Sequence, residues 1–295
     1  MKVFVTGGSG FVGSEVIRQL LAAGHEVREL VHSRKTTATE TGLEFWPGDA
    51  TQPESLTGAL ADCDAVIHLI GIIREFPEKQ ITFQRLHIEA TRNILSEANR
   101  QGVKRYLHMS ANGTRADGVA AYHQTKWAAE ELVRLSGLET TIFRPSLIFG
   151  PGDAFVNMLA DIIRRTPVVP VIGDGEYQMS PVAVANVATG FVRALAQPES
   201  IGEIYHCGGP QTFTYNQLLD EIARALGRSG VTRIHPPVLM MRSLSTLLEG
   251  MSFFPITSGQ LTMLLEGNVC DPQPWAETFG IELTPFSEGI RQYLR

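Results

Sequence analysis

Tyr122 and Lys126 have the residue types and the spacing needed to transfer a proton to or from a substrate oxygen. They lie four residues apart in a stretch with helical periodicity, so both side chains project from one helix face. A tyrosine hydroxyl has an ordinary pKa of about 10, and a neighbouring ammonium group lowers that pKa because it stabilises the phenolate. The pair therefore predicts acid–base chemistry. A tyrosine and a lysine that merely share a solvated surface are the alternative interpretation.

A glycine-rich segment near the start of the sequence has the spacing of a phosphate-binding loop. It reads GGSGFVG and lies between an apolar strand pattern and a helix pattern. In such a loop Gly7 allows a tight turn, Gly10 lets the backbone approach a pyrophosphate, and Gly13 lets the helix pack closely on the strand. The N–H groups at the helix N-terminus then face the phosphates. A glycine-rich turn without a ligand is the alternative. The residues predicted to bind a dinucleotide here are Gly7, Ser9, Gly10, Phe11, Val12 and Gly13.

The end of the second predicted strand bears on which dinucleotide would bind. An NAD-specific site places an acidic residue about 20 residues after the loop, whereas Glu29 comes too early and lies within the strand. The turn that follows supplies His32, Arg34 and Lys35. Guanidinium and ammonium groups suit a 2′-phosphate, so we expect NADP(H) to be preferred, with NAD(H) as the alternative. A solvated basic turn is the other interpretation of these charges.

Strand and helix patterns alternate through the first half of the chain, which predicts a parallel sheet with helices on both faces. The fold class is therefore α/β: a Rossmann-type doubly wound parallel sheet with a smaller, irregular C-terminal lobe. The predicted strands are residues 2–6, 26–31, 43–46, 65–70, 105–109, 140–144 and 203–207. The predicted helices are residues 11–23, 54–61, 82–100, 122–135, 182–196, 214–226, 237–250, 258–266 and 287–294.

The change of pattern after residue 150 predicts two domains. We expect a dinucleotide-binding Rossmann domain at residues 1–150, to which residues 182–207 return. A smaller lobe for substrate or partner is expected from residues 151–181 and 208–295.

Composition excludes several other classes of protein. The 295 residues are 43% hydrophobic and 19% charged, which excludes disorder, and the net charge of −6 argues against a nucleic-acid partner. The three cysteines are far apart and the eight histidines lack metal-ligand spacing, so we expect neither disulfides nor a metal. The apolar runs are too short to span a bilayer, and residues 2–6 resemble a strand rather than a signal peptide. We therefore expect a cytoplasmic protein with no membrane span.

Several segments together resemble the extended and atypical short-chain dehydrogenase/reductases, and the resemblance covers essentially the whole chain. Within that superfamily the sequence is most similar to bacterial relatives of the nucleotide-binding accessory subunit of respiratory complex I. The segments that carry the resemblance are the glycine loop, Gly48 with Asp49, residues 68–71, 109–113, 122–126, 143–150 and 260–268.

This resemblance implies NADP(H) or NAD(H) lying across the strand ends, with Tyr122 as acid or base. It also implies that Asp49 lies near the adenine, that the backbone at Gly71 passes the cofactor, and that residues 145–148 lie near the nicotinamide. Lys126 would also bond to the nicotinamide ribose. The further cofactor residues expected in this way are Asp49, Ala50, Leu69, Gly71, Lys126, Pro145 and Ile148.

Three departures from the family pattern weaken the case for vigorous turnover. Family enzymes carry two or three Ser or Thr residues after the fifth strand, and the second polarises the substrate carbonyl. Here Ser110 is followed by Ala111. Either Ser110 takes that role from a shifted position, or the role is vacant. His87 stands where an Asn is common, and residues 182–188 lack the carboxylates of the family segment.

The C-terminal half holds further candidates. Four of the eight methionines lie between Met240 and Met263 in an apolar stretch. Three interpretations of that stretch are open. It forms the core of the small lobe, it lines a lipophilic substrate pocket, or it provides a surface for a membrane or a protein partner. Asp153 either touches substrate or caps a helix. His68 and His108 lie in apolar strands and are interpreted as core histidines whose ring nitrogens have hydrogen-bond partners.

Two functions fit these observations. The first is an NADP(H)-dependent oxidoreductase or epimerase-type enzyme that acts on a small, apolar carbonyl or alcohol substrate, with Tyr122 transferring the proton. The second is a cofactor-binding protein with little turnover that stabilises or regulates an assembly such as a respiratory complex. The Tyr122–Lys126 pair favours the first, and Ala111 and His87 favour the second. A homodimer or an apolar protein partner is consistent with either.

Overall fold

The computed structural model describes residues 1–32, 40–248 and 257–294, with residues 244–248 as backbone. The chain forms two compact units, each built from three segments. The first unit contains Met1–Pro145, Ala185–His206 and Gln273–Ile281, and the second contains Ser146–Val184, Cys207–Pro272 and Glu282–Arg295.

The strands of the described residues form one large sheet and three two-stranded pairs. They are β1 Lys2–Thr6, β2 Glu26–Val31, β3 Leu43–Pro47, β4 Ala65–His68, β5 Arg105–Met109, β6 Glu139–Pro145, β7 Ile148–Phe149, β8 Val168–Pro170, β9 Gln178–Met179, β10 Val182–Ala183, β11 Ile204–Cys207, β12 Phe213–Thr214 and β13 Thr232–Ile234.

The large sheet has seven strands in the order β11-β6-β5-β4-β1-β2-β3. Its pairings are parallel, for example Thr6 opposite His68 and His68 opposite His108. The strand order reverses beside β1, and in sheets of this type that point binds the ligand at the carboxyl ends of the strands. The predicted Rossmann-type fold class is therefore confirmed.

The helices of the described residues cover both units. They are α1 Phe11–Ala22, α2 Ala90–Gln101, α3 Ala121–Arg134, α4 Phe155–Arg165, α5 Val184–Ala194, α6 Tyr215–Ala225, α7 Val238–Leu248, α8 Ser258–Glu266, α9 Gln273–Thr278 and α10 Phe286–Arg291.

The periodic patterns that predicted the helices correspond to their buried faces. In α1 the buried side chains include Val12, Val16 and Leu20, which recur at a spacing of four. Helix α2 ends at Gly102, whose φ of +74° closes the helix in the left-handed conformation. Thr214 and Gln217 form a reciprocal capping box at the start of α6. Among the described residues, none of these helices is both long and apolar enough to cross a membrane.

Several sequence-based boundaries are wrong. The helix predicted at residues 54–61 is only a 3₁₀ turn, Pro53–Leu56, because Gly58 follows with a φ of +82° and interrupts the helix. The strand predicted at residues 65–70 ends at His68. Helices α4 and α9 were not expected, since the loop residues around them dominate the local pattern. Residues 249 and 250, at the end of the predicted helix 237–250, lie outside the described residues.

The second unit has a core of its own. Phe149, Leu159, Ile222 and Phe286 are among its buried side chains. Asp153 lies just before α4, where its carboxylate accepts the backbone N–H of Val156 at 2.6 Å. Its other oxygen accepts the hydroxyl of Tyr293 at 2.9 Å. The structure therefore supports a role for Asp153 in stabilising the first turn of α4, although the N-cap residue itself is Ala154.

The methionine-rich stretch is only partly core. The side chains of Leu239 and Met240 on α7 are 78% and 53% exposed, whereas Leu261 on α8 is fully buried. The core interpretation is therefore wrong for Leu239 and Met240. Met251 lies outside the described residues.

Candidate functional site

The glycine loop connects β1 to α1 in the first unit. Gly7 has a φ of +73°, and a Cβ there would lie 3.0 Å from the carbonyl carbon of Leu69. A Cβ at residue 13 would lie 2.1 Å from the carbonyl oxygen of Gly7, so a larger residue at that position would displace the backbone. Only glycine lets α1 pack this closely on the loop.

The N-terminus of α1 fits a phosphate-bearing cofactor. Gly10 is its N-cap in extended conformation; within the described chain no side chain caps it, and its first turn holds no acidic residue. Its N–H groups and the positive end of the helix dipole therefore favour an anion. A Cβ at residue 10 would have only the carbonyl oxygen of Gly7 within 4 Å, at 3.2 Å. Ser9 is exposed, Phe11 is half-buried and Val12 is buried.

His32 and Asp49 lie together at the carboxyl ends of β2 and β3. Nε2 of His32 is 3.5 Å from Oδ2 of Asp49, and the imidazole is exposed. Oδ1 of Asp49 accepts the backbone N–H and the hydroxyl of Thr51, at 2.8 and 2.9 Å. Ala50 beside them is buried. This group could receive the adenosine end of a dinucleotide.

The basic turn is only partly described. Arg34 and Lys35 lie outside the described residues, so their contact with a 2′-phosphate stays a prediction. Glu29 lies within β2, as the sequence indicated, and it is buried. A Cβ at Gly8 would lie 2.7 Å from its carboxyl carbon, so the carboxylate sits beneath the glycine loop.

The turn after β4 approaches the lysine of α3. A Cβ at Gly71 would lie 3.0 Å from Nζ of Lys126. The same Nζ donates a hydrogen bond of 2.9 Å to the carbonyl oxygen of Met109, at the end of β5. Leu69 is buried and supports this turn. The fold thus brings predicted site residues from β4, β5 and α3 together at one edge of the sheet.

Burial sets the proton affinities of the Tyr122–Lys126 pair. Lys126 is 2% exposed, and burial lowers its pKa to about 8, with the charge of Glu130 opposing the shift. The ring of Tyr122 packs edge-on against Phe83 and His87. Burial raises the pKa of Tyr122 to about 12. The lowered tyrosine pKa expected from spacing is therefore wrong, and the hydroxyl keeps its proton at neutral pH.

His87 lies in a stretch of π-helix, Gln84–Glu89, that precedes α2. The buried ring stacks on Phe83, with 5.1 Å between ring centroids. Nδ1 is 2.9 Å from the hydroxyl of Thr125, and Nε2 is 3.1 Å from the carbonyl oxygen of Ile72. Sequence reasoning placed His87 near the predicted site and identified it as a departure from the family pattern. It missed Thr125 and Ile72 because no spacing rule places either of them beside residue 87.

Comparison with known proteins identifies the family. Residues 3–208 match the model of the NAD dependent epimerase/dehydratase family, which is more than half of the chain. The chain belongs to this family. The predicted relationship to short-chain dehydrogenase/reductases is therefore confirmed.

Two kinds of curated relative stand out within the family. The chain is 28% identical over 304 residues to NADH dehydrogenase (ubiquinone) 1 alpha subcomplex subunit 9 of Mus musculus, covering 99% of this chain and 79% of that protein. It is 30% identical to the corresponding subunit of Arabidopsis thaliana. That match covers 73% of this chain and only 56% of the Arabidopsis protein. A Stigmatella aurantiaca ketoreductase of 4-hydroxy-2-methyl-3-oxo-4-farnesyl-3,4-dihydroquinoline-1-oxide is 32% identical over 70% of this chain and 67% of that protein.

Solved structures of family enzymes share the fold. A UDP-glucose 4-epimerase from Thermotoga maritima superposes with a TM-score of 0.79 at 20% identity, over 100% of this chain and 97% of the other. The Thermus thermophilus UDP-glucose 4-epimerase, solved in complex with NAD, gives a TM-score of 0.76 at 22% identity, over 100% and 98%. At these identities the similarity concerns the fold.

Ser110 has a local partner that the family pattern does not predict. It is buried at the end of β5, and its hydroxyl donates to the hydroxyl of Thr114 at 3.2 Å. Ala111 is buried beside it and brings no hydroxyl. To orient a substrate oxygen, Ser110 would have to turn its proton away from Thr114.

Pro145 and Ile148, expected together near the nicotinamide, belong to different units. Pro145 ends β6, and its carbonyl oxygen accepts the N–H of Asn112 at 2.9 Å. Ile148 lies in β7, which pairs with β10 in the second unit. A joint role of the two residues stays a prediction.

The two core histidines differ in their hydrogen bonding. The ring nitrogens of His68 lie 2.7 Å from the hydroxyl of Thr6 and 3.1 Å from that of Thr91, as the core interpretation requires. His108 is a core residue too, as expected, but within the described chain neither of its ring nitrogens has the expected hydrogen-bond partner. The described residues contain no group of three metal-ligating side chains.

Proposed function

We propose that this chain is an NADP(H)-dependent oxidoreductase or epimerase-type enzyme that transfers hydride to or from an apolar carbonyl or alcohol substrate. The observation that carries the proposal is the position of Lys126. Its ammonium group bonds to Met109 and faces the backbone at Gly71. Tyr122 lies one helical turn away on α3. Family folds hold dinucleotides at this edge of the sheet.

The proposed chemistry divides between the cofactor and the side chains. When bound, the cofactor supplies hydride to the substrate carbon. The hydroxyl of Tyr122 donates its proton to the substrate oxygen, so a ketone gains one hydride and one proton and becomes an alcohol. Because burial raises the pKa of Tyr122 to about 12, the proton is in place at neutral pH. A charged Lys126 then stabilises the phenolate that remains.

An apolar ketone is the proposed substrate class. The Stigmatella relative is named for the reduction of a farnesylated cyclic ketone. The apolar character of the substrate is carried over from that relative, which is 32% identical over 70% of this chain.

The proposed preference for NADP(H) rests on the basic turn that contains Arg34 and Lys35. Glu29 lies within β2 rather than at its end, so it is not placed as the acidic residue that an NAD-specific site would use. NAD(H) is the alternative, since a family neighbour was solved with NAD. A cytoplasmic location stays a prediction.

A second candidate function is a cofactor-binding subunit with little turnover. Ala111 and the internal hydrogen bond of Ser110 favour it, because the substrate oxygen then lacks a second donor. The relatives that are subunits of NADH dehydrogenase point in the same direction and suggest a protein partner.

NADPH oxidation with a panel of cyclic ketones and quinones tests the enzyme proposal. We expect Tyr122→Phe to lower turnover by a factor of about 100 or more and to leave NADPH affinity nearly unchanged. Tyr215→Phe removes a buried hydroxyl of the second unit and should retain turnover. Tight NADPH binding without turnover of any ketone, in both the native protein and Tyr122→Phe, would contradict the enzyme proposal and support the second candidate.

A further inference from the structure

One side chain, that of His87, joins the turn after β4 to helix α3. The ring is 1% exposed. Its Nδ1 reaches the hydroxyl of Thr125 on α3, and its Nε2 lies 3.1 Å from the carbonyl oxygen and 3.2 Å from the amide nitrogen of Ile72. Thr125 precedes Lys126, and Ile72 follows Gly71. The ring therefore connects the turn whose backbone at Gly71 is expected to pass the cofactor with the helix that carries Tyr122 and Lys126.

The hydrogen bonds of the ring are consistent with two neutral arrangements. The Thr125 hydroxyl can donate to the carbonyl oxygen of Ala121 at 2.8 Å. The ring then donates from Nδ1 to Thr125, and Nε2 accepts the N–H of Ile72. In the other arrangement Nε2 donates to the carbonyl oxygen of Ile72, and the hydroxyl of Thr125 turns to donate to Nδ1. Both arrangements keep the turn and the helix bridged.

The backbone of His87 is anchored separately from its ring. Its carbonyl oxygen accepts the hydroxyl of Thr91 at 2.6 Å. Since that hydroxyl is used as a donor, it accepts from Nε2 of His68, and Nδ1 of His68 then accepts the hydroxyl of Thr6. Thr6 is the last residue before the glycine loop. The π-helical stretch is thus fixed to β4 and β1, which gives the ring a rigid base.

We propose that His87 is a positioning residue that sets the separation between the cofactor-facing turn and the helix that carries Tyr122 and Lys126. The inference deepens the proposed function and rests on it for the activity measurement. Cofactor binding tests the same bridge without turnover. The neutral ring suits this role, because burial together with the charge of Lys126 lowers the pKa of His87 to about 2.

A set of variants separates the two halves of the bridge. His87→Phe keeps the aromatic packing against Phe83 and Tyr122 and removes both hydrogen bonds. The amide of His87→Asn can replace only the Nδ1 contact, and that of His87→Gln only the Nε2 contact. Thr125→Val removes the helix partner and leaves the ring intact. His235→Phe is the matched control, because His235 is exposed and belongs to the second unit.

The measurements are the NADPH dissociation constant, kcat and KM for a ketone, and the ring ¹⁵N signals of His87. For His87→Phe we expect about tenfold weaker NADPH binding, the size of one or two lost hydrogen bonds, and a lower kcat at similar KM. His87→Asn, His87→Gln and Thr125→Val each remove one half of the bridge. Each should therefore weaken NADPH binding by about threefold, which is half of the tenfold effect on a logarithmic scale. In the native protein the ¹⁵N signals should be those of a neutral ring and should shift when NADPH binds.

If folded His87→Phe has the NADPH affinity and the kcat of the native protein, the inference is overturned. This holds even if the variant unfolds at a lower temperature, because the role of His87 would then be structural. If His87→Phe does not fold, native values in Thr125→Val would overturn it equally. If the native protein turns over no ketone and His87→Phe still weakens NADPH binding about tenfold, the proposed function fails and the positioning role stands.

Discussion

At the scale of single residues, burial decides the chemistry of the candidate site more than sequence spacing does. The four-residue spacing of Tyr122 and Lys126 suggests that the ammonium lowers the tyrosine pKa. In the fold, desolvation dominates and raises the pKa of Tyr122 to about 12 while it lowers that of Lys126 to about 8. The tyrosine hydroxyl is therefore protonated at neutral pH, and the charge of the lysine depends on pH just above neutrality.

The buried charge of Lys126 should be visible in the pH dependence of stability. Its folded-state pKa of about 8 lies below its ordinary 10.5, so between these values the unfolded chain binds the proton that the folded chain has lost. Stability should therefore rise with pH across this window. Relative to Lys126→Met, the native protein should gain about 3 kcal/mol in free energy of unfolding. Urea unfolding at pH 7 to 10 measures this, and a constant difference would contradict it.

Arg34 should decide the choice of dinucleotide. Its guanidinium is expected to pair with the 2′-phosphate, a charge-assisted contact worth about 1.5–3 kcal/mol. Arg34→Ala should therefore weaken NADPH binding by about tenfold or more and leave NADH binding unchanged. Arg165→Ala is the control, because the Arg165 side chain is 79% exposed and lies in the second unit. A preference of the native protein for NADH would contradict the proposal.

At the scale of elements, predictions succeed where one short segment holds the whole signal. The glycine loop and the strands around it have such signals, and α1 begins at Phe11 as expected. The predicted helix at residues 54–61 failed because the positive φ of Gly58 outweighed the apolar periodicity. The π-helical stretch Gln84–Glu89 was expected as ordinary helix. This stretch has the wider turn of a π-helix and contains His87. The hydrogen-bond partners of His87, Thr125 and Ile72, lie in other elements.

Two alanine substitutions should separate the ligand-binding role of the glycine loop from its role in folding. Gly10 has an ordinary extended backbone, and a methyl group added there would have only one atom within 4 Å. Gly10→Ala should therefore fold normally and bind NADPH at least about tenfold more weakly. Gly13→Ala places its methyl group 2.1 Å from a backbone oxygen and should cost about 3 kcal/mol or more of stability.

Thermal unfolding and NADPH titration measure these two effects. Gly259→Ala is the control, because its methyl group would have a nearest neighbour 4.0 Å away. Unchanged NADPH affinity in a folded Gly10→Ala protein would argue against a phosphate at this loop.

At the scale of the whole molecule, the two compact units do not follow the order of the sequence. Residues 208–295 were expected to form the small lobe, but Gln273–Ile281 belongs to the first unit. Trp275 of this segment is fully buried, and a Cβ at Gly190 would lie 3.1 Å from its ring. Arg193 donates to the carbonyl oxygens of Phe279 and Gly280. The absence of a side chain at Gly190 thus makes room for a tryptophan 85 residues later.

The exposed apolar side chains of α7 should contribute little to stability. Replacing both Leu239 and Met240 by Ser should change the free energy of unfolding by less than about 0.5 kcal/mol, as is usual for exposed positions. Ile163→Ser is the contrasting variant, because Ile163 is fully buried. Strong destabilisation by the Leu239 and Met240 substitutions would show that α7 is core.

The sequence by itself determined the sheet, the glycine loop and the placing of Tyr122 and Lys126 one turn apart on a single helix. These features depend on strand alternation, helical periodicity and residues within four positions of each other, so a short segment specifies each one. The tertiary structure alone decided that burial raises the pKa of Tyr122, that His87 bridges Ile72 and Thr125, and that Trp275 returns to the first unit. Desolvation and long-range contacts depend on what packs around a residue, and neighbours in sequence do not specify that packing.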